Sequence, residues 1–413
     1  MAKKPSVTVV GGGMITQIQV LPSLYQMQRM GEIGEIAICA LNGAPLKVLA
    51  DDPALAEAFP GQSFTPYPDF RKVNPDEKFP TLFEEVLKKL PERNIVFVAL
   101  PDQLHCGAIR KALEANQHVV TVKPLVLKHK EAQEIEELAL KKGLFVGVEY
   151  HKRFDDRALM ARVQYRNGNL GEFMLGHAWL NEPWYYRDSN FQNWCTCENS
   201  DMFTYVGCHY VDQIHFITGL LPTEVSVYGI KDKYPNGRDG YLWCNAMVTW
   251  ENGASLSVMD GMCYPNAAPG GNAQGMQMFN KGSKDGCVVL HDDQYRGLKH
   301  CYENPSDGKT YHEPSPDYFK LVYRGGKGLE PVGYGYRSIE TLVRAALRVN
   351  AGVDLSARQG IIREVDAEGI LATPANSAYN ELVIEAGRLS ILNGGRPVVI
   401  EYGKEPKVGF KKY

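Results

Sequence analysis

No apolar run in this 413-residue chain approaches the ~20 residues that cross a bilayer, so no membrane-spanning helix is expected. The opening Met1-Ala-Lys-Lys-Pro5 is not followed by the apolar core of a signal peptide, and the expected location is the cytoplasm. Charge of one sign is also lacking. A net charge of -3, with no basic stripe, argues against nucleic acid and anionic membrane as partners. Repeats, low-complexity tracts and long charge runs are absent. Cysteines are few: nine, an odd number spread over a long chain, fit a reducing compartment rather than a disulfide framework. Cys195 and Cys197 form a Cys-x-Cys pair with Cys208 and His209 beyond it. No second close pair completes a zinc set, so no metal is expected.

What is present is length enough for two domains with sizeable cores. The stretch from Asn94 to Pro124 carries the strongest signal. Ile95 to Leu100 is a continuous apolar, β-branched run stopped by Pro101, which suits a strand buried on both faces. Cys106, Ile109 and Leu113 keep helical spacing, and Val119 to Val122 reads as a second strand ending at Lys123-Pro124. Strand, helix and strand in about 30 residues make one right-handed crossover. A lysine at the carboxyl end of a parallel strand lies at the crevice where such sheets bind ligands. Upstream, the strand Ser6–Val10 runs into Gly11-Gly12-Gly13-Met14-Ile15-Thr16, followed by an amphipathic helix. This is a dinucleotide-binding turn with threonine at the third glycine position. Gly11 permits the turn, Gly13 lets backbone approach a pyrophosphate, and the amides after it meet the negative charge. Thr16 implies slightly looser helix–strand packing. The second strand, Glu35–Leu41, ends in Asn42 where an acid usually holds the ribose. Asn42 can do so, and no arginine cluster follows it, so NAD is favoured over NADP. Residues 52–80 read as an irregular excursion, and Thr81–Leu90 as a helix.

Three motifs in order then carry a resemblance: Gly-Gly-Gly-Met after strand one, Leu100-Pro101-Asp-Gln-Leu-His105 after strand four, and Val122-Lys123-Pro124 after strand five. They resemble the Gfo/Idh/MocA oxidoreductases, named for glucose–fructose oxidoreductase and inositol dehydrogenase. Phe145 to Asp155 continues the likeness as strand six and the exit from the first domain. The resemblance implies a Rossmann domain over 1–150 and, over 151–413, an α+β domain with a large, mostly antiparallel open sheet that binds substrate and mediates a homo-oligomer (dimer or tetramer). One departure is that the family's Glu-Lys-Pro is Val-Lys-Pro here, which removes the carboxylate beside the lysine. The residues past Arg153 agree: His177–Leu180, Glu224–Tyr228, Leu242–Trp250 and Ala254–Met259 alternate as strands. Tyr336–Val349 and Ala375–Leu392 read as amphipathic helices.

The segment Ser200–Gly219 reads as a helix capped by Ser200 or Asp201 and ended by Gly219. Tyr205, His209 and Asp212 are spaced to share one face. Gly207 costs ~1 kcal/mol in helix stability relative to alanine and suits a close approach to a cofactor or strand. The Gly-x-His-x-x-Asp pattern matches the family, in which this histidine is the acid/base and aspartate often stands where Tyr205 is. The resemblance therefore implies that a nicotinamide takes a hydride from a secondary alcohol, His209 takes the proton, and Lys123 stabilises the developing alkoxide. Asp212 and Tyr205 would bind substrate, with His151 and Arg153 lining its side. His105, with Leu100 and Pro101, would shape the loop at the nicotinamide. Trp, Tyr, Asn and Arg in the second half suit a sugar ring, so the expected substrate is a sugar, cyclitol or glycoside oxidised at a ring hydroxyl, carbon 3 among the choices. A redox-neutral alternative stays open, in which tightly bound NAD serves transient oxidation and elimination that cleave a glycosidic bond. A third reading is a cofactor-binding sensor without turnover.

Overall fold

The computed structural model describes residues 4–268, 271–282, 285–292, 300–304, 309–313 and 318–412. The chain divides into two compact units. The first comprises Met1–Leu125, Glu131–His151 and Phe319–Asn376; the second comprises Val126–Lys130, Lys152–Tyr318 and Ser377–Tyr413.

The first unit is a doubly wound parallel sheet. Its strands are β1 (Val7–Val10), β2 (Ile36–Cys39), β3 (Thr65–Tyr67), β4 (Ile95–Val98), β5 (His118–Val122) and β6 (Val146–Glu149), in the order β3-β2-β1-β4-β5-β6. Every pairing is parallel. β1, β4 and β6 are buried along their whole length, as strands covered on both faces must be. The 52–80 stretch corrects the irregular reading. Asp52 caps the helix Pro53–Ala58, its carboxylate accepting from the amides of Ala54 (2.9 Å) and Leu55 (3.3 Å), with Pro53 in the first turn. β3 then pairs with β2 at the edge, the one place a sheet tolerates Pro66.

By its packing the segment Phe319–Asn376 groups with the first unit. The reason is the apolar face of the helix Tyr334–Asn350, which packs on β5 and β6. Leu342 lies so close that a Cβ on Gly147 of β6 would come within 2.6 Å of it. Two short strands, Lys320–Val322 and Glu330–Val332, pair antiparallel in the same segment.

The second unit is built on an eight-stranded sheet. Following β7 (Glu172–Pro183), β8 (Pro222–Lys233), β9 (Asp239–Trp250), β10 (Ser255–Tyr264), β11 (Ala273–Lys281) and β12 (Gly286–Asp292), the strands Val398–Glu401 and Lys407–Phe410 complete it. β7 and β10 pair parallel and the other neighbours antiparallel. The helix Tyr379–Ile391 covers β8 and Val398–Glu401, and the turn Phe203–Gly207 packs on β10. The other face carries exposed apolar side chains: Val288, Phe279 and Leu175 lie side by side across β12, β11 and β7. Among the described residues no helix is long and apolar enough to cross a membrane.

Candidate active site

The first unit presents a cradle at the carboxyl ends of its strands. Gly11 has φ +120°, and a Cβ there would lie 2.0 Å from the Ala99 carbonyl oxygen, so only glycine fits between β1 and β4. Gly13 is the opposite case: it is exposed, and a Cβ would meet nothing within 4 Å. Open space over a glycine followed by a helix start suits a pyrophosphate. Met14 and Ile15 are half-buried beside it. Thr16 does not loosen the turn as expected. It is fully buried, and its hydroxyl donates to the Gly11 carbonyl at 2.7 Å. The next residues, Thr16–Val20, form a π-helical turn before the helix Leu21–Arg29.

Asn42 stands in extended conformation ahead of the helix Gly43–Ala50, and its side chain makes no capping bond. Leu100 and Pro101 are half-buried at the end of β4. His105 is fully buried; its Nδ1 lies 2.7 Å from the Pro124 carbonyl oxygen and its Nε2 2.8 Å from that of Leu100. One ring therefore ties the turn after β4 to the turn after β5, next to the buried Lys123. The missing carboxylate at Val122 has a neighbour of interest. Register places Glu149 of β6 directly opposite Val122. Its Oε1 accepts from Gln19 Nε2 (2.9 Å) and Ser338 Oγ (2.6 Å), and its Oε2 lies 3.2 Å from His151 Nδ1. His151 stacks on Tyr334 with ring centroids 5.6 Å apart. Gln19 and Ser338 were not legible as partners of Glu149, because neither spacing nor composition marks them.

In the second unit His209 is buried in the first turn of the helix Cys208–Thr218. Asp201 caps the preceding turn, its Oδ1 accepting from the Thr204 amide at 2.8 Å, and Gly219 closes the helix at φ +82°. Gly207 serves a strand. A Cβ there would come 2.8 Å from Asp260 Oδ2 on β10 and 2.5 Å from the Phe203 ring. Because Phe203–Gly207 is a π-helical turn, the spacing from Tyr205 to His209 is not that of an α-helix. The Tyr205 ring packs edge-on against Phe191 (4.9 Å) and Trp194 (5.6 Å).

Asp212 and Arg153, expected at the substrate, form a buried ion pair with each other. Arg153 donates to Asp212 through Nε (2.8 Å) and Nη2 (2.6 Å). Tyr379 Oη (2.8 Å) and Asn380 Nδ2 (3.2 Å) donate to the same carboxylate. With both side chains buried, this pair anchors the helix carrying His209 to the turn after β6 and to the helix Tyr379–Ile391. Burial and the Asp212 carboxylate push the Tyr379 phenol well above its ordinary range, so it remains a donor.

Sequence reasoning passed over a second buried polar chain. Lys152 Nζ donates to Gln274 Oε1 (2.7 Å) and stands 5.1 Å from the centroid of the Tyr210 ring. Gln274 Nε2 reaches Asn272 Oδ1 (3.3 Å), and Asn272 Nδ2 donates to Glu182 Oε2 (3.0 Å). The register of β11 against β7 places Gln274 opposite Leu180 and Ala273 opposite Asn181. Among the described residues no group of three His, Cys, Asp or Glu side chains could hold a metal ion.

Comparison with known proteins assigns these two halves. The profile of the oxidoreductase family with an NAD-binding Rossmann fold matches residues 6–150, and that of the GFO/IDH/MocA C-terminal domain matches residues 159–272, together more than half of the chain. An oxidoreductase of Schizosaccharomyces pombe is 29% identical over 143 residues, 35% of this chain and 38% of that protein. The scyllo-inositol 2-dehydrogenase (NADP(+)) IolW of Bacillus subtilis is 25% identical over 148 residues, 35% of this chain and 40% of that protein. The aligned region thus spans about two fifths of each relative's length. The solved scyllo-inositol dehydrogenase of Lactobacillus casei, with bound NAD(H) and scyllo-inositol, superposes with a TM-score of 0.61 at 16% identity, covering 96% of this chain and 99% of that one, a likeness of fold. The chain belongs to the GFO/IDH/MocA oxidoreductase family, with an NAD-binding Rossmann domain.

Proposed function

We propose that the protein oxidises a secondary ring hydroxyl of a sugar, cyclitol or glycoside, carbon 3 of a pyranose among them, with a nicotinamide dinucleotide as hydride acceptor. The observation that carries this reading is the turn at Gly11–Gly13, closed to any side chain at Gly11 and open at Gly13, with the buried Lys123 two strands away in the same sheet. When bound, the dinucleotide supplies the hydride acceptor. Gly13 and the backbone of Met14 and Ile15 hold its pyrophosphate, and Asn42 hydrogen-bonds the ribose, which suits NAD. Leu100, Pro101 and His105 fix the loop that borders the nicotinamide. At the reacting hydroxyl Lys123 donates to the oxygen and stabilises its developing charge. His209 takes the proton, a contribution of roughly 10²–10⁴-fold. Tyr205 and His151 contact the substrate, while Arg153 and Asp212 hold the helix of His209 in place. The named activities of two relatives on inositols support a cyclitol or related polyol as substrate.

The second reading, redox-neutral cleavage of a glycosidic bond, is kept open by Val122 and Tyr205, which depart from the family's acidic residues. The same assay separates them. The purified chain is mixed with cyclitols, sugars and glycosides, with and without NAD and NADP, and both absorbance and product mass are recorded. Accumulating reduced cofactor supports the oxidoreductase reading, whereas cleaved product without added cofactor or net reduction supports the second. Binding of dinucleotide with no turnover of any polyol by either route refutes both. We further propose a cytoplasmic homo-oligomer, dimer or tetramer, joined through the exposed apolar sheet face.

A further inference from the structure

Glu149 is a buried carboxylate at the carboxyl end of β6, the end at which a doubly wound sheet opens onto its ligand crevice. Burying a carboxylate is costly unless hydrogen bonds satisfy it. Elements of the first unit supply them. Gln19, fully buried in the π-helical turn that follows the glycine turn, donates through Nε2 to Glu149 Oε1 at 2.9 Å. The same nitrogen donates to the Gly335 carbonyl at 2.9 Å, so two acceptors fix which way the amide points. Ser338, on the helix Tyr334–Asn350, donates to the same Oε1 at 2.6 Å.

With two donors on Oε1, the other oxygen faces His151. Glu149 Oε2 lies 3.2 Å from His151 Nδ1, and both side chains are buried. A neutral imidazole carries one hydrogen, and the partners of its two nitrogens decide which of them holds it. An ionised carboxylate only accepts, so the hydrogen sits on Nδ1 and Nε2 is the basic nitrogen. Tyr334 sets the plane of the ring, stacked on it with centroids 5.6 Å and planes 26° apart. Val122 and Glu149 are register partners, so Lys123 and His151 leave adjacent strands within one residue of the same level.

We infer that Glu149 is a positioning residue for the reaction: by accepting from Nδ1 it makes His151 an acceptor, at Nε2, of a substrate hydroxyl. The inference rests on the proposed function, in which His151 contacts the substrate, and it adds the direction of that hydrogen bond. Gln19 follows the turn proposed to hold the pyrophosphate. The same carboxylate therefore ties the imidazole to the cofactor side of the sheet. Glu149→Gln separates the two ties. Its amide oxygen still accepts from Gln19 and Ser338, while its nitrogen turns a donor toward His151 Nδ1 and reverses the tautomer.

Nitrogen NMR of the imidazoles in the full chain tests the geometry without substrate or cofactor, at about pH 8, above the ordinary imidazole range. Expected is hydrogen on His151 Nδ1 in the wild-type protein and on Nε2 in Glu149→Gln. Kinetics with the polyol test the role. In Glu149→Gln kcat falls about tenfold or more, while dinucleotide affinity, read by calorimetry, is retained. In a His151→Gln background the same change costs nothing further, because Glu149 acts through that ring. The inference is overturned if the wild-type hydrogen sits on Nε2, a measurement that needs no variant to fold, or if the two losses in kcat multiply. An Nε2 hydrogen in an active enzyme overturns this inference alone. An Nδ1 hydrogen in a protein that turns over no ring polyol overturns the proposed function, and the positioning role with it.

Discussion

Arg153 and Asp212 form a buried pair joined by two hydrogen bonds. Removing one member of a buried, hydrogen-bonded pair leaves the other charge without compensation, a cost of about 3–5 kcal/mol. Asp212→Leu is therefore expected to lower stability by about that much, and Arg153→Met likewise. The double variant is expected to lose much less, because no charge is stranded. Urea unfolding of the four proteins checks the cycle, and additive losses would contradict the pairing. The spacing His-x-x-Asp made Asp212 visible in the sequence, as it did His209. Its pairing with Arg153 was not visible, because Arg153 lies 59 residues away and helical periodicity reports only near neighbours. The same limit hid Gln19 and Ser338 on Glu149, and Gln274 on Lys152.

Strands β1, β4, β5 and β6 were legible because burial on both faces forces continuous apolar runs, and β8, β9 and β10 because one wet face forces alternation. β3 was not, since three residues with a proline in the middle make no pattern, and pairing to β2 alone defines it. The π-helical turns at Thr16–Val20 and Phe203–Gly207 were equally hidden, as no propensity distinguishes them from α-helix. One strand carries a pH dependence. His118 on β5 is fully buried, and its Nδ1 accepts from the Phe145 amide at 2.9 Å. Burial, followed by the Arg93 charge, pushes its pKa down to about 4. Burial likewise lowers His215 to about 4 in the helix Cys208–Thr218. Groups depressed in the folded state bind protons more readily when unfolded, so stability is full above about pH 6.5 and is lost as the pH falls toward 4. For His118 the loss is on the order of 3 kcal/mol. Thermal unfolding from pH 7 to 4 should show a shallower decline in His118→Asn, which keeps an acceptor for the Phe145 amide. An unchanged decline would contradict this assignment.

At the scale of the molecule, the open face of the eight-stranded sheet exposes Leu175, Met247, Met259, Phe279, Val288 and Leu290. Among them Leu175, Phe279 and Val288 are direct cross-strand neighbours, and exposed apolar patches mark interaction surfaces. The proposed homo-oligomer predicts a light-scattering mass of two or four chains, falling toward one chain when Leu175 and Phe279 are both replaced by lysine. An unshifted mass would place the contact elsewhere. Hydride transfer from a ring carbinol is the claim on which the functional account depends. Its most direct test is turnover of a carbon-deuterated cyclitol or sugar with NAD or NADP, followed by the mass of the reduced cofactor. The account predicts reduced cofactor that gains one deuterium in the wild-type protein, with His209→Gln and Lys123→Met slowing its formation by about 10²-fold or more. Reduced cofactor without deuterium, or none from any ring polyol, would contradict it.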